Sequence, residues 1–268
     1  METTEWKRFL LPYEQTVDEL RTKFESLLRS YKKFGEVSPI ERLDVRVKNV
    51  SSILDKAAKK KIAIRDIEKK IEDIAGVRII CRFVEDIYTI VQIIKDMQGT
   101  DFSITEERDY VKNQKASGYR SYHILISYNV YTIYGHYNVP AEIQIRTMAM
   151  NSWAVNEHSL NYKYRGNMPE KIQKKLRASA DAAFTLDTEM SAIRDEIHEA
   201  EQSIQTQVNL VDEILSRIQN LHYIANLDRI SELNKHFFEL YKVGDLDALA
   251  KFNDQLKVMV EIYKVQLV

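Results

Sequence analysis

One cysteine, four prolines and seven glycines are all that these 268 residues hold of the types that staple, break or loosen a chain. The lone Cys81 excludes an intrachain disulfide and any zinc site built from several cysteines. It sits in the apolar run Val77-Arg78-Ile79-Ile80-Cys81-Arg82-Phe83 and so reads as a small buried hydrophobe, not a nucleophile. The scarcity of glycine and proline favours long helices over an all-β architecture. No apolar run approaches the length of a membrane span, and the charged N-terminus is unlike a signal peptide, so the expected location is the cytoplasm. In that setting the sequon Asn49-Val50-Ser51 is a chance match. Neither sign of charge dominates: 39 basic against 40 acidic residues leave a net of −1. Recognition of phosphates or nucleic acid must then come from a local patch.

What is present is a change of period along the chain. Val17, Leu20, Phe24, Leu27, Leu28 and Tyr31 recur at helical spacing between Pro12, expected to open a helix, and Gly35, expected to close it. A short extended stretch over 45–48 leads into a second helix from about 49 to 61. Strands are expected over 77–83, 104–110, 121–130 and 139–147, with a helix over 86–97. The fold class is therefore α+β, a mixed sheet of about four to five strands flanked by helices. From Pro169 the pattern is wholly helical. Ile193, Ile197, Ala200, Ile204, Val208, Val211, Leu215 and Ile218 form an apolar stripe that suits a bundle or a short coiled coil. Gly244-Asp245 reads as a C-cap followed by an N-cap between two helices. A first domain over 1–175 and a helical extension over 176–268, for oligomerisation or partner contact, follow from this division.

Two stretches carry the chemistry: Ile71-Glu72-Asp73-Ile74-Ala75-Gly76-Val77-Arg78 and Ala141-Glu142-Ile143-Gln144-Ile145-Arg146. In the second, period two puts Glu142, Gln144 and Arg146 on one face. A buried carboxylate needs partners; a metal or nucleotide would supply them, and so would a plain Glu142–Arg146 ion pair on a solvated face. Asp73 stands at the mouth of a strand, three residues before Gly76, as a metal ligand or a simple cap. Lys48, Ser52 and Lys56 are four apart and share a helix face, with Lys59 near its continuation and Arg46 on the lead-in. That ladder suits a triphosphate; it also fits an ordinary solvated lysine face. Between the carboxylates lies a loop of cations and aromatics, with Arg108, Lys112, Lys115 and Arg120 placed to meet phosphates. Tyr119 follows Gly118 and offers a ring face for a base, and His123 opens the next strand as a hydrogen-bond donor or a structural histidine.

The runs Asp73-Ile74-Ala75-Gly76-Val77-Arg78, Glu107-Arg108-Asp109-Tyr110-Val111-Lys112, Ser117-Gly118-Tyr119-Arg120-Ser121-Tyr122-His123, Ala141-Glu142-Ile143-Gln144-Ile145-Arg146-Thr147 and Trp153…Glu157-His158-Ser159-Leu160-Asn161-Tyr162-Lys163-Tyr164 occur in that order. Together they resemble the RelA/SpoT-type alarmone synthetases, in particular the small RelQ-type kind, over residues 6–175. The resemblance implies a nucleotidyltransferase-like fold and a (p)ppGpp synthetase domain acting in the stringent response. Such an enzyme moves the β,γ-pyrophosphate of ATP to the 3′-hydroxyl of GDP or GTP, with GMP a further candidate acceptor, and releases AMP. It implies that Arg46, Lys48, Ser52, Lys56, Lys59 and Arg78 bind ATP, and that Asp73 and Glu142 are catalytic and hold Mg²⁺, Glu142 also serving as base. On the acceptor side it implies Arg108, Lys115, Tyr119, His123 and Gln144, with Tyr119 stacked on guanine.

The sequence contains no His-Asp dipeptide, which the hydrolase domain of the long relatives carries, so synthesis without hydrolysis is expected. The resemblance further implies a homotetramer with an allosteric alarmone in an inter-subunit cleft, to which Glu41 and Asn151 correspond. Arg42 and Asp44 depart from the aromatic and the threonine expected beside them. Two other readings stay open at this level: a toxin-like enzyme that pyrophosphorylates tRNA 3′ ends, and a non-catalytic nucleotide- or RNA-binding module.

Overall fold

The structure, a computed structural model, describes residues 3–164, 168–222 and 227–266. They form two compact units, Met1–Ala192 and Ile193–Val268.

The first unit is built on a five-stranded sheet in the order β1-β2-β5-β4-β3. Its strands are β1 (Arg42–Val47), β2 (Ala75–Cys81), β3 (Phe102–Asp109), β4 (Tyr122–Thr132) and β5 (Gly135–Thr147). Only the β2–β5 pair is parallel; β1–β2, β3–β4 and β4–β5 are antiparallel. A mixed sheet with flanking helices is what the pattern of periods led one to expect. Cys81 is fully buried in β2, and burial pushes its thiol pKa upward, as befits an apolar filler.

Alternation along the strands divides the sheet into two chemical faces. Val77, Ile79, Ile124, Ile143 and Ile145 join one core with helices α1 (Thr3–Phe34) and α4 (Val84–Met97), through Tyr13, Val17, Leu20, Phe24, Ile87 and Ile90. The alternate positions carry the polar residues, and the register brings them side by side: Asp44 pairs with Arg78, Arg78 with Gln144, Gln144 with His123 and His123 with Arg108. One polar stripe therefore crosses the whole sheet.

Helix α2 (Val50–Lys59) is capped by Asn49, whose side chain accepts from the Ser52 amide at 2.8 Å. It buries Ile53 and Ala57, which turns Lys56 toward the sheet. Lys48 precedes the cap, so it reaches the site from the extended lead-in and not from the helix ladder expected of it. Pro12 lies inside α1 and does not begin it. Trp6, Phe9 and Leu10 pack against the core from the turns before it, and this packing outweighs the hydrogen bond that proline removes.

α5 (Met148–Lys163) follows β5 directly, and α6 (Glu170–His222) runs for 53 residues. Its first turns belong to the first unit. In the second unit, Ile214, Ile218 and Leu221 of α6 pack with Ile230, Leu233 and Phe237 of α7 (Leu227–Val243) and with Leu249, Phe252, Leu256 and Val260 of α8 (Leu246–Gln266). Gly244 adopts φ +73° and Asp245 accepts from two following amides, the cap pair expected between α7 and α8. The apolar stripe thus ends in a bundle, while its earlier members Ile193, Ile197, Ile204 and Val208 remain exposed.

Candidate active site

At the edge of the polar face, Asp44, Val45, Arg46, Asp73, Gly76, Val77, Arg78, Glu142 and Gln144 line a cleft. Asp73 stands just before β2. Its Oδ2 receives Lys48 at 2.6 Å and Lys56 at 2.7 Å, while its buried Oδ1 has no hydrogen-bond partner among the described residues. Burial pushes the Asp73 carboxyl up, but the two ammoniums outweigh it and hold it below the usual range. Lys48 is lowered by the same burial, against the pull of Asp73.

Glu142 lies on β5, opposite Gly76 of β2. His123 Nδ1 is 2.9 Å from its Oε1, and Gln144 Nε2 donates to its Oε2 at 2.8 Å. Burial raises its carboxyl and Asp73 adds to that, yet His123 and Gln144 prevail and keep it below the ordinary value. An ionised carboxylate only accepts, so Nδ1 of His123 carries a proton, and the Tyr119 hydroxyl lies within hydrogen-bond distance of Nε2 at 2.9 Å. A relay of hydrogen bonds thus joins Tyr119, His123 and Glu142.

The Arg46 side chain lies over Gly76, where an added Cβ would stand in ordinary van der Waals contact with it at 3.7 Å. Arg78 is half-buried, and its Nε has no hydrogen-bond partner among the described residues; burial and the adjacent Arg46 press its pKa down.

Arg146 escaped assignment from the sequence, although its place on the face of Glu142 and Gln144 was readable. It is 3% exposed and donates to Gln144 Oε1 at 3.1 Å; its Nε has no partner among the described residues. The direct Glu142–Arg146 pair considered above is replaced by this chain through Gln144. Burial and the fields of Arg78 and Arg46 lower its pKa to about 10. Arg46, Arg78 and Arg146 together present a cationic surface of the kind that suits an anion.

On the other flank the aromatic loop supplies a cage. Tyr110, Tyr119 and His123 meet edge to face at centroid distances of 5.2–6.3 Å. Lys115 lies 4.4 Å over the Tyr110 ring and 4.9 Å from that of Tyr119. Burial lowers the Lys115 pKa and raises that of Tyr119. Arg108, across the ladder from His123, is engaged by Glu106 and by Glu72 at 3.4 Å, which raise its pKa.

The structure therefore brings Arg46, Lys48, Lys56, Asp73, Arg78, Glu142 and Gln144 together, with Lys115, Tyr119 and His123 reaching Glu142 from the loop side. Ser52 and Lys59, expected with them, fall outside the lining formed by the described residues: the Ser52 amide serves the cap of α2, and Lys59 is exposed in its last turn. Glu41, Arg42 and Asn151 line a separate hollow with Met148, Ser152 and Val155; Asp44 lines the cleft of Asp73 and Glu142 instead.

Residues 45–167 match the family model described as the region found in RelA / SpoT proteins. The chain is 49% identical to the GTP pyrophosphokinase YjbM of Bacillus subtilis over 203 residues, which are 75% of this chain and 94% of that protein. It is 39% identical to YwaC, a second GTP pyrophosphokinase of that organism, over 72% of this chain and 92% of the relative. Among solved structures, small alarmone synthetase 1 of Bacillus subtilis bound to its product pppGpp is similar with a TM-score of 0.67 and 49% identity, covering 72% of this chain and 98% of that one. A GTP pyrophosphokinase family protein from Streptococcus pneumoniae gives a TM-score of 0.69 at 48% identity, over 74% and 97% of the two chains.

Proposed function

The chain belongs to the RelA/SpoT family of GTP pyrophosphokinases, and from that premise we propose how its cleft divides the work of a small alarmone synthetase. The reaction transfers the β,γ-pyrophosphate of ATP to the 3′-hydroxyl of GDP or GTP, giving AMP and a (p)ppGpp alarmone. One observation carries the division of roles: Glu142 lines the cleft of Asp73, Arg46 and Arg78, and its Oε1 is also tied through His123 to Tyr119. A single carboxylate thereby faces a donor side and an acceptor side.

On the donor side, Arg46, Arg78 and Arg146 take the phosphates, with Lys48 and Lys56 beside Asp73. On the acceptor side, Tyr119 offers its ring to guanine and Lys115 and Arg108 meet the acceptor's phosphates. Glu142 accepts the proton of the 3′-hydroxyl as O3′ bonds to the β-phosphorus and the bond from that phosphorus to the AMP oxygen breaks. His123, by donating to Oε1, fixes the carboxylate's direction.

The residues fit a divalent cation. Asp73 Oδ1 is buried with no hydrogen-bond partner among the described residues, and the Asp73 charge acts on Glu142. No cluster of three or more His, Cys, Asp or Glu side chains suited to a metal occurs among the described residues, so nucleotide oxygens would complete the shell. Mg²⁺ held by Asp73 and Glu142 would supply charge neutralisation on the transferring phosphates.

The same reading proposes a cytoplasmic homotetramer, with Glu41 and Asn151 in an inter-subunit alarmone cleft. Their shared hollow supports the pairing, whereas the position of Asp44 in the donor-side cleft does not.

Incubation with ATP, Mg²⁺ and GMP, GDP, GTP or tRNA, with product identification, tests the proposal. AMP release with GDP or GTP and a 3′-pyrophosphorylated product are expected. Turnover with tRNA alone, or with no acceptor, would refute it.

A further inference from the structure

We propose that the first turns of α6 hold the acceptor loop in its working shape, with Asp181 as a positioning residue for the acceptor nucleotide. This rests on the reading of Tyr119 as the acceptor platform. Within the loop between β3 and β4, Tyr110 N donates to Ser121 O at 3.0 Å, Lys115 N to Tyr119 O at 3.2 Å and Gly118 N to Lys115 O at 2.8 Å, while Asp109 Oδ1 caps its first turn by accepting from Val111 N and Lys112 N. Both neighbours of Tyr119 are in addition seated on α6.

Gly118 adopts φ +90°, and a Cβ added there would stand 2.7 Å from Ala180 Cβ and 3.5 Å from the Arg177 backbone. Conformation and space both demand glycine at this point. On the other side, Arg120 is 9% exposed. It donates to Asp181 Oδ1 at 3.1 Å, and its guanidinium lies 4.4 Å over the Phe184 ring. A second guanidinium nitrogen turns back to Gly118 O at 3.4 Å, closing the loop across Tyr119.

Helix α6 is itself fixed at this level. The Trp153 indole of α5 donates to Leu176 O at 2.9 Å and to Ser179 Oγ at 3.0 Å. Trp153, Ala154 and Ala180 form a small buried cluster against which Tyr119 packs. Removing the Asp181 carboxylate leaves a buried guanidinium without its charged partner, and the loop relaxes at the residue next to the stacking ring. Lys48, Lys56, Asp73 and the arginine cluster lie on other elements, so ATP binding is untouched. The consequence is a split between the two substrates.

The test is Asp181→Ala and Asp181→Asn, with Asp181→Glu as rescue, Gly118→Ala as an independent variant and Tyr119→Ala as reference. Initial rates are measured against ATP and GDP separately, and GDP binding is followed by Trp153 emission in a Trp6→Phe background. In Asp181→Ala and Asp181→Asn the KM for GDP rises about tenfold while that for ATP stays within about twofold. The binding curve shifts in parallel, and Asp181→Glu restores most of the affinity. If Tyr119→Ala raises the GDP KM and neither Asp181 nor Gly118 variants do, the positioning role is overturned and the acceptor reading stands. If Tyr119→Ala has no such effect, both fall. Equal rises for ATP and GDP would reduce Asp181 to general stability and overturn the proposal.

Discussion

The ammonium of Lys56 lies 2.7 Å from Oδ2 of Asp73, an oxygen it shares with Lys48 at 2.6 Å. Two cations crowd one carboxylate oxygen while the other meets no donor among the described residues. The same ammoniums are proposed to bind ATP, and in that role a triphosphate would compete with Asp73 for them.

Lys56→Gln removes one of these cations without disturbing Ile53 and Ala57, which anchor α2. The KM for ATP should rise about tenfold, the worth of one charge-assisted contact. The KM for GDP should change less than about twofold. Initial-rate kinetics with each substrate varied in turn decide it; a shift confined to GDP would remove Lys56 from the donor side.

Glu142→Gln keeps the size of the side chain and an acceptor for His123. Turnover should fall about a thousandfold or more through loss of the base, with an unchanged melting temperature. AMP production near the parent level by the folded variant would refute the role.

Tyr119 contributes a ring and a hydroxyl, and they are separable. Tyr119→Ala should raise the GDP KM by about 10- to 100-fold, in line with about 1–3 kcal/mol for a stacked base, and leave ATP much less affected. Tyr119→Phe keeps the ring and loses the hydroxyl's bond to His123 Nε2, so its GDP KM should remain within about threefold. Equal effects of Tyr119→Ala on both substrates would contradict the stacking role.

Asp187 gives a pH signature outside the cleft. Burial raises its carboxyl to about 6, although the Thr147 hydroxyl donates to it. The ordinary value is about 3.9. Between these limits the folded state binds the proton that the unfolded state has lost, so stability falls as pH rises across the window. Above it, the full cost of the buried charge is present. Asp187→Asn should therefore be near neutral at pH 4 and stabilise by about 1–3 kcal/mol at pH 8. Denaturant unfolding at the two pH values measures it; a variant equally destabilised at both would show that the charge carries no such cost.

Local signals were legible and neighbourhoods between distant strands were not. Period two along β5 put Glu142, Gln144 and Arg146 on one face, and the cap at Gly244-Asp245 stood in the residues themselves. That Arg146 shares its surroundings with Arg46 and Arg78 depends on β5 lying parallel beside β2 and β2 beside β1. No local pattern encodes that order. Lys48 and Asp73 were each readable as site residues, but their grip on one another needs the β1–β2 pairing, which places the end of β1 at the start of β2. Pro12 misled because its local meaning, a helix start, yielded to the packing of Trp6 and Phe9. In α6, helical spacing alone could not separate Ile218, which meets α7 and α8, from Ile197, which stays exposed.

Under the proposed donor role, the cluster of Arg46, Arg78 and Arg146 would not distinguish a nucleotide's phosphate from a free tetrahedral anion. Inorganic phosphate and sulfate carry the same oxygens, so either should compete with ATP in proportion to its concentration. Rates taken in phosphate buffer should then understate the affinity for ATP, and residual ammonium sulfate from purification should act as a competitive inhibitor. The choice of buffer anion is thus part of the chemistry of this enzyme.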